Sequence, residues 1–280
     1  MSIEILNDRS VLAISGPDAS TLLQGLVTAN IDKIADGTVV PSALLTPQGK
    51  IAFDFLMGKY GKDGYFFDMR TALIADFQKR MTLYKLRADV SITTLEDWQP
   101  TAIWEEQTDV DGSFIDSRFN EANAVHRTYQ KLDVEMAQGS FTEVRIANFV
   151  AESDADFQTN DVFPHDVYLD LNGGIDFKKG CYVGQEVVSR MQHRSSARKR
   201  IGLIQSDDTP LSSGQEITAN GKPIGTIGSV FGNKGLSILR VDRYFDAISE
   251  DQTVQADDVE LNVSFPEWAA SVIEPYKGAS

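Results

Sequence analysis

The chain has 280 residues, 42% of them hydrophobic, enough to bury a core in one large or two medium domains. Its formal net charge of −15 argues against nucleic acid or an anionic membrane surface as partner, since both call for clustered positive charge. A lone cysteine excludes an internal disulfide, the opening residues read as no secretory signal and no apolar run approaches the ~18 residues of a membrane span, so a cytoplasmic monomer is the expectation.

Residues 11–15 are short and apolar and stop at Gly16-Pro17-Asp18, which predicts a strand. Residues 18–30 place Leu22, Leu23, Leu26 and Val27 at helical spacing. Residues 39–45 and 50–59 flank the turn Thr46-Pro47-Gln48-Gly49 and predict a hairpin, followed by a turn at 61–64 and a strand at 65–69. A helix over 71–87 is predicted with Leu73, Ile74, Phe77, Met81 and Tyr84 facing inward, and then a strand over 89–93. This order indicates an α+β arrangement and not a doubly wound sheet. From about residue 198 the pattern turns to short strands, at 201–204, 216–218, 223–231, 236–241 and 259–263. Asn220-Gly221 is a two-residue hairpin signal, and strands at this spacing predict a small barrel or sandwich after a boundary near 197.

Charge changes sign in the middle of the chain. Residues 151–176 hold seven carboxylates and no Lys or Arg, whereas 177–200 hold Lys178, Lys179, Arg190, Arg194, Arg198, Lys199 and Arg200 against Glu186 alone. The one cysteine, Cys181, lies at this reversal, in Lys179-Gly180-Cys181-Tyr182-Val183-Gly184-Gln185-Glu186. Val183, Val187, Val188 and Met191 share a helical face beside a stripe of Glu186, Arg190 and Arg194. A helix starting near Tyr182 would set Cys181 at its N-terminus with Lys179 close by, which favours a nucleophilic thiolate. The same residues also fit a small hydrophobe packed at a tight turn.

Histidines at 126, 165 and 193 are too scattered to join one cysteine in a zinc site, and His165 reads as a surface or turn residue. Neither a phosphate-binding loop nor a dinucleotide fingerprint is present. Asp54 sits between Phe53 and Phe55 in a strand, so it serves either as an acid–base or hydrogen-bonding carboxylate or as an outward-facing strand residue. Arg118 and Arg145 read as salt-bridging or solvated arginines.

The octapeptide around Cys181 resembles the motif of the YgfZ-type folate-binding proteins of iron–sulfur cluster assembly or repair, relatives of the glycine-cleavage T-protein, an aminomethyltransferase. The resemblance extends through Val187-Val188-Ser189-Arg190 and the basic run 194–200. It takes in Ser15-Gly16-Pro17-Asp18, the stretch 22–30 ending in Val-Thr-Ala-Asn, residues 45–51 with Asp54, Leu86-Arg87 and the hairpin 221–229. It implies two α+β subdomains within 1–196 and a C-terminal antiparallel β-barrel in 197–280, arranged around a central folate pocket. It further implies tetrahydrofolate as cofactor, with Asp54 toward the pterin and Arg190, Arg194 and Arg198 toward the glutamate tail. Reduced folate and transient iron–sulfur client proteins would be the partners, and Cys181 with Lys179 the reactive pair. The T-protein's adjacent acidic pair is Phe53-Asp54 here and its pterin-holding glutamate segment has no counterpart. Folate-dependent aminomethyl or one-carbon transfer is therefore the alternative function.

Overall fold

A computed structural model describes residues 2–105, 110–132, 137–138, 140–195 and 197–277. The chain divides into two compact units, Met1–Phe141 with Asn172–Gln185, and Thr142–Leu171 with Glu186–Ser280.

The first unit is built on strands β1 (Ser2–Ile5), β2 (Arg9–Ser15), β3 (Thr38–Leu45), β4 (Ile51–Lys59), β5 (Gly64–Arg70), β6 (Ser91–Thr94), β7 (Thr101–Trp104), β8 (Phe114–Asp116), β9 (Val125–Thr128) and β10 (Ala137–Gln138). They join in one sheet of order β10-β1-β7-β9-β8-β3-β4-β5-β2-β6, in which β1–β10 and β3–β8 pair parallel and the remaining neighbours antiparallel. Helices α1 (Ala19–Gln24) and α2 (Thr71–Lys85) supply Leu23, Phe77 and Met81 to a core that also takes Phe53, Phe55 and Met57 from β4. The opposite face carries Val11, Val39, Leu56 and Phe66 with Tyr129, so β4 and β5 are apolar on both sides. Among these aromatic rings a charged set is buried. Arg9 Nε meets Asp68 Oδ1 at 2.5 Å, Tyr129 donates to Asp68 Oδ2 at 3.1 Å, and Arg127 Nε meets Asp116 Oδ2 at 3.1 Å. Arg118 pairs bidentately with Asp116, as its salt-bridging reading anticipated.

Two predicted helices are shorter than their periodicity suggests. α1 ends at Gln24 and not at Asn30, because β-branched Val27 and Thr28 leave the helix to meet β3: Val27 bridges Leu44, and Thr28 N donates to Ala43 O at 3.0 Å. α2 ends at Lys85, where Leu86 (φ +44°) departs from helical geometry.

In the second unit lie α3 (Phe141–Ala147, Phe141 itself counting with the first unit), α4 (Gln185–Arg194, from Glu186 on), β11 (Lys199–Gln205), β12 (Glu216–Ala219), β13 (Lys222–Phe231), β14 (Lys234–Arg240), α5 (Val241–Ser249), β15 (Val254–Ala256), β16 (Val259–Glu260), β17 (Asn262–Ser264) and α6 (Ala270–Ile273). The strand order is β16-β15-β12-β13-β14-β11-β17, antiparallel throughout. Asn220 and Gly221 both take positive φ (50° and 67°), the conformation that a two-residue hairpin requires. Register shifts in the β12–β13 and β13–β14 pairings bend this sheet around the core of Ile204, Ile217, Ile224, Ile227 and Leu239. Arg145 is buried as a staple: it donates to Val150 O (2.9 Å), Asp156 Oδ2 (2.8 Å) and Ser229 Oγ (2.8 Å). His165, read as a surface or turn residue, lies in the single helical turn Pro164–Val167 but is buried, with Nε2 3.1 Å from Gln192 Oε1, and burial holds its pKa below the ordinary histidine value.

Candidate functional site

Residues 172–184 have almost no regular structure, yet polar contacts fasten them to residues 27–33 of the first unit and close backbone packing sets Gly184 against the β3–β4 turn. The first receptor is residues 27–30. Thr28, fully buried, donates its hydroxyl to Gly174 O at 2.6 Å while accepting from Ala43 N at 2.9 Å, and its carbonyl accepts from Asp176 N at 3.1 Å. Asn30 Nδ2 donates to Asp176 Oδ2 at 3.0 Å, and the Asn30 side chain is itself oriented by Gln24 (2.8 Å). Lys33 adds a 2.7 Å ion pair to the same Asp176 oxygen, and Lys178 N donates to Asp176 Oδ1 at 2.8 Å. With the Lys33 bond as the largest cause, the Asp176 carboxyl is held well below the usual carboxylate range.

Lys179 completes the attachment. Its buried ammonium donates to Val27 O at 2.8 Å and Ala29 O at 2.7 Å, and lies 5.4 Å from the centre of the Tyr182 ring. Loss of hydration lowers its pKa to about 8, against the opposing pull of Asp176 and Asp32. Tyr182 is buried, and its hydroxyl has no hydrogen-bond partner among the described residues. Burial, then the Asp176 charge, push its pKa up to about 12.

The second receptor is the β3–β4 turn. Gly184 has φ +79°, and a Cβ there would sit 2.6 Å from Thr46 O and 3.1 Å from Gly49 Cα, so this position admits only glycine. That backbone also stops a helix from starting at Tyr182. α4 begins at Gln185, and Cys181 lies in the preceding loop, not in the first helical turn. Between the two fastenings, Gly180 and Cys181 are exposed. The loop thus offers its thiol to solvent on a backbone fixed from both sides.

Asp54 is half-buried on β4 opposite Ala43, on the sheet face away from Phe53 and Phe55, as the alternation predicts. Asp54, Lys179, Gly180, Cys181, Tyr182, Gly184 and Gln185 belong to the first unit; Glu186, Arg190, Arg194 and Arg198 belong to the second. Glu186 Oε1 receives Arg190 Nη2 at 2.6 Å on the exposed side of α4, while Arg194 and Arg198 are exposed. Arg200 is buried in a bidentate pair with Asp170 (2.8 and 3.0 Å). Of the cations that made 177–200 look like one patch, Lys179 and Arg200 are therefore committed internally. Sequence reasoning missed Thr28 and Asp176, and treated Gly184 only as part of the motif. A lysine within a stretch of turn residues was the one visible hint of a buried anchor.

Residues 198–271 match the model of the CAF17 C-terminal beta-barrel domain. Over nearly its whole length (95%, and 86% of the other chain) the structure superposes on the glycine cleavage system aminomethyltransferase T of Bartonella henselae, with a TM-score of 0.72 at 12% identity. The fold is that of a T-protein. It is an α+β fold with a C-terminal antiparallel barrel, as expected. In sequence the chain is similar to proteins named iron-sulfur cluster assembly factor IBA57 homolog, mitochondrial. The Pyricularia oryzae protein is 28% identical over 85% of this chain and 71% of its own length; that of Mycosarcoma maydis is 27% identical over 91% and 78%. Against the Neurospora crassa protein (29% identical over 70% of this chain) it spans about half of the relative's length, 52%. The expected cytoplasmic address does not stand, because these relatives are named as mitochondrial proteins. Among the described residues no helix is long and apolar enough to cross a membrane.

Proposed function

We propose that this protein is a tetrahydrofolate-binding accessory factor for the assembly or repair of iron–sulfur proteins, with Cys181 as its working group. The observation that carries this reading is the exposed thiol on a loop fastened at both ends, in a chain similar to factors named for iron–sulfur cluster assembly. A thiol at such a crest meets a cluster or a persulfide without the loop first having to order. Transient iron–sulfur client proteins are the partners this role calls for.

Reduced folate is the proposed ligand. In the first unit Asp54 is a half-buried carboxylate, a type of group that receives the ring nitrogens of a pterin; in the second, Arg194 and Arg198 are exposed guanidinium groups, of the kind that meets a carboxylate tail. Arg190 already faces Glu186 and would have to exchange that partner. The likeness to an aminomethyltransferase at 12% identity speaks to fold alone, so one-carbon transfer is not advanced.

The test is a Cys181→Ser variant in a deletion strain scored for several iron–sulfur enzymes, alongside titration calorimetry of the purified chain with tetrahydrofolate. Loss of enzyme support with unchanged melting is expected, together with folate binding that weakens as salt rises. Full support by the serine variant would end the cysteine role. No heat at millimolar tetrahydrofolate would end the folate role.

A further inference from the structure

We propose that Lys179 is a positioning residue and not the charge partner of the thiol: together with Thr28 it locks residues 174–179 onto residues 27–30 and so holds Cys181 at the crest. The proposal deepens the cysteine reading above and rests on it. Two carbonyls, those of Val27 and Ala29, converge on one ammonium at 2.8 and 2.7 Å, which directs two of its three N–H bonds toward the receptor segment 27–30. Thr28, between those carbonyls, uses its hydroxyl on Gly174 and its own carbonyl on Asp176. One receptor tripeptide therefore takes up loop residues 174, 176 and 179, all placed N-terminal to the exposed pair Gly180 and Cys181. A flexible point charge suits two converging carbonyls, whereas the planar fork of arginine matches carboxylate geometry. The inward-facing ammonium explains why the motif places a buried lysine two residues from an exposed cysteine.

The experiment uses the full chain and the variants Lys179→Met, Lys179→Arg, Thr28→Val and Thr28→Ser. It reads amide hydrogen exchange over residues 174–183 and the rate of Cys181 alkylation by iodoacetamide against pH. Lys179→Met and Thr28→Val are expected to speed exchange in this segment about tenfold, the opening that follows loss of one or two hydrogen bonds. Thr28→Ser, which keeps the hydroxyl, is expected to restore wild-type exchange. The pH midpoint of alkylation is expected to be the same in Lys179→Met as in the wild type. A midpoint that rises in Lys179→Met and returns in Lys179→Arg would overturn the proposal in favour of a charge role. Unchanged exchange in both Lys179→Met and Thr28→Val would overturn it as well. If Lys179→Met fails to fold, the two Thr28 variants decide by the same exchange criterion. None of these measurements involves folate or a client protein, so their outcome is separate from that of the Cys181→Ser complementation.

Discussion

The cysteine loop and the helix that follows it differ more than their shared run of basic residues suggests. In the loop, Lys179 and Asp176 are largely withdrawn from water and each has at least two defined partners. On α4, Glu186 and Arg190 form one ion pair with both side chains in solvent (85% and 56% exposed), and Arg194 and Arg198 point outward. Equal formal charges thus do unequal work. In the loop they act beside the buried Ile175 and Tyr182 and fix a backbone; on the helix they face solvent. A solvated pair contributes little to stability, while a desolvated lysine without its carbonyls would be costly.

This contrast can be broken most sharply at Gly184. Gly184→Ala forces a Cβ to within 2.6 Å of Thr46 O at a backbone angle that side chains rarely adopt. A loss of roughly 2–4 kcal/mol in urea unfolding is expected, with α4 still forming. A variant as stable as the wild type would show that the loop does not lean on the β3–β4 turn. A smaller effect, dependent on pH, is expected at Asp176. Its folded carboxyl titrates below the ordinary value, so its contribution is present above about pH 4 and fades as pH falls through the lower folded value. Asp176→Asn should cost roughly 1–2 kcal/mol at neutral pH, and its stability curve should converge with the wild type toward pH 2. Parallel curves would mean that the carboxylate charge is not what holds the loop. The smallest effect belongs to the helix: Arg190→Gln should change stability by no more than about 0.5 kcal/mol while weakening tetrahydrofolate or client binding. A larger loss of stability would place that pair in the loop's class.

Local chemistry made several elements legible. Thr46-Pro47-Gln48-Gly49 and Asn220-Gly221 carry their own turn geometry, and the stripe of α2 shows its buried residues Phe77 and Met81 directly. Cys181 stood out because it is the single cysteine in a turn-rich segment. Features that depend on remote partners were not legible. Leu26-Val27 continue a helical pattern in sequence, but β3 draws Val27 and Thr28 into pairing, and nothing nearby in the chain announces β3 as the competitor. Gly184 looks like a helix residue until the turn at 46–49 is set against it. α5 went unread because its residues 241–249 directly continue the apolar end of β14. Arg200 and Lys179 counted as surface charge until Asp170 and two carbonyls claimed them.

The Lys179 contacts span 152 and 150 residues of sequence, and the Thr28 bond to Gly174 spans 146. The first unit receives its final segment, Asn172–Gln185, only after the chain has run through Thr142–Leu171, which belongs to the second. At translation rates of about 5–20 residues per second, residues 27–30 wait roughly 8–30 s for the lysine that will occupy their carbonyls. A contact of such long range adds little to the early stages of folding and closes late. The segment that carries the thiol is therefore seated late, when most of the first unit's strands have already been made.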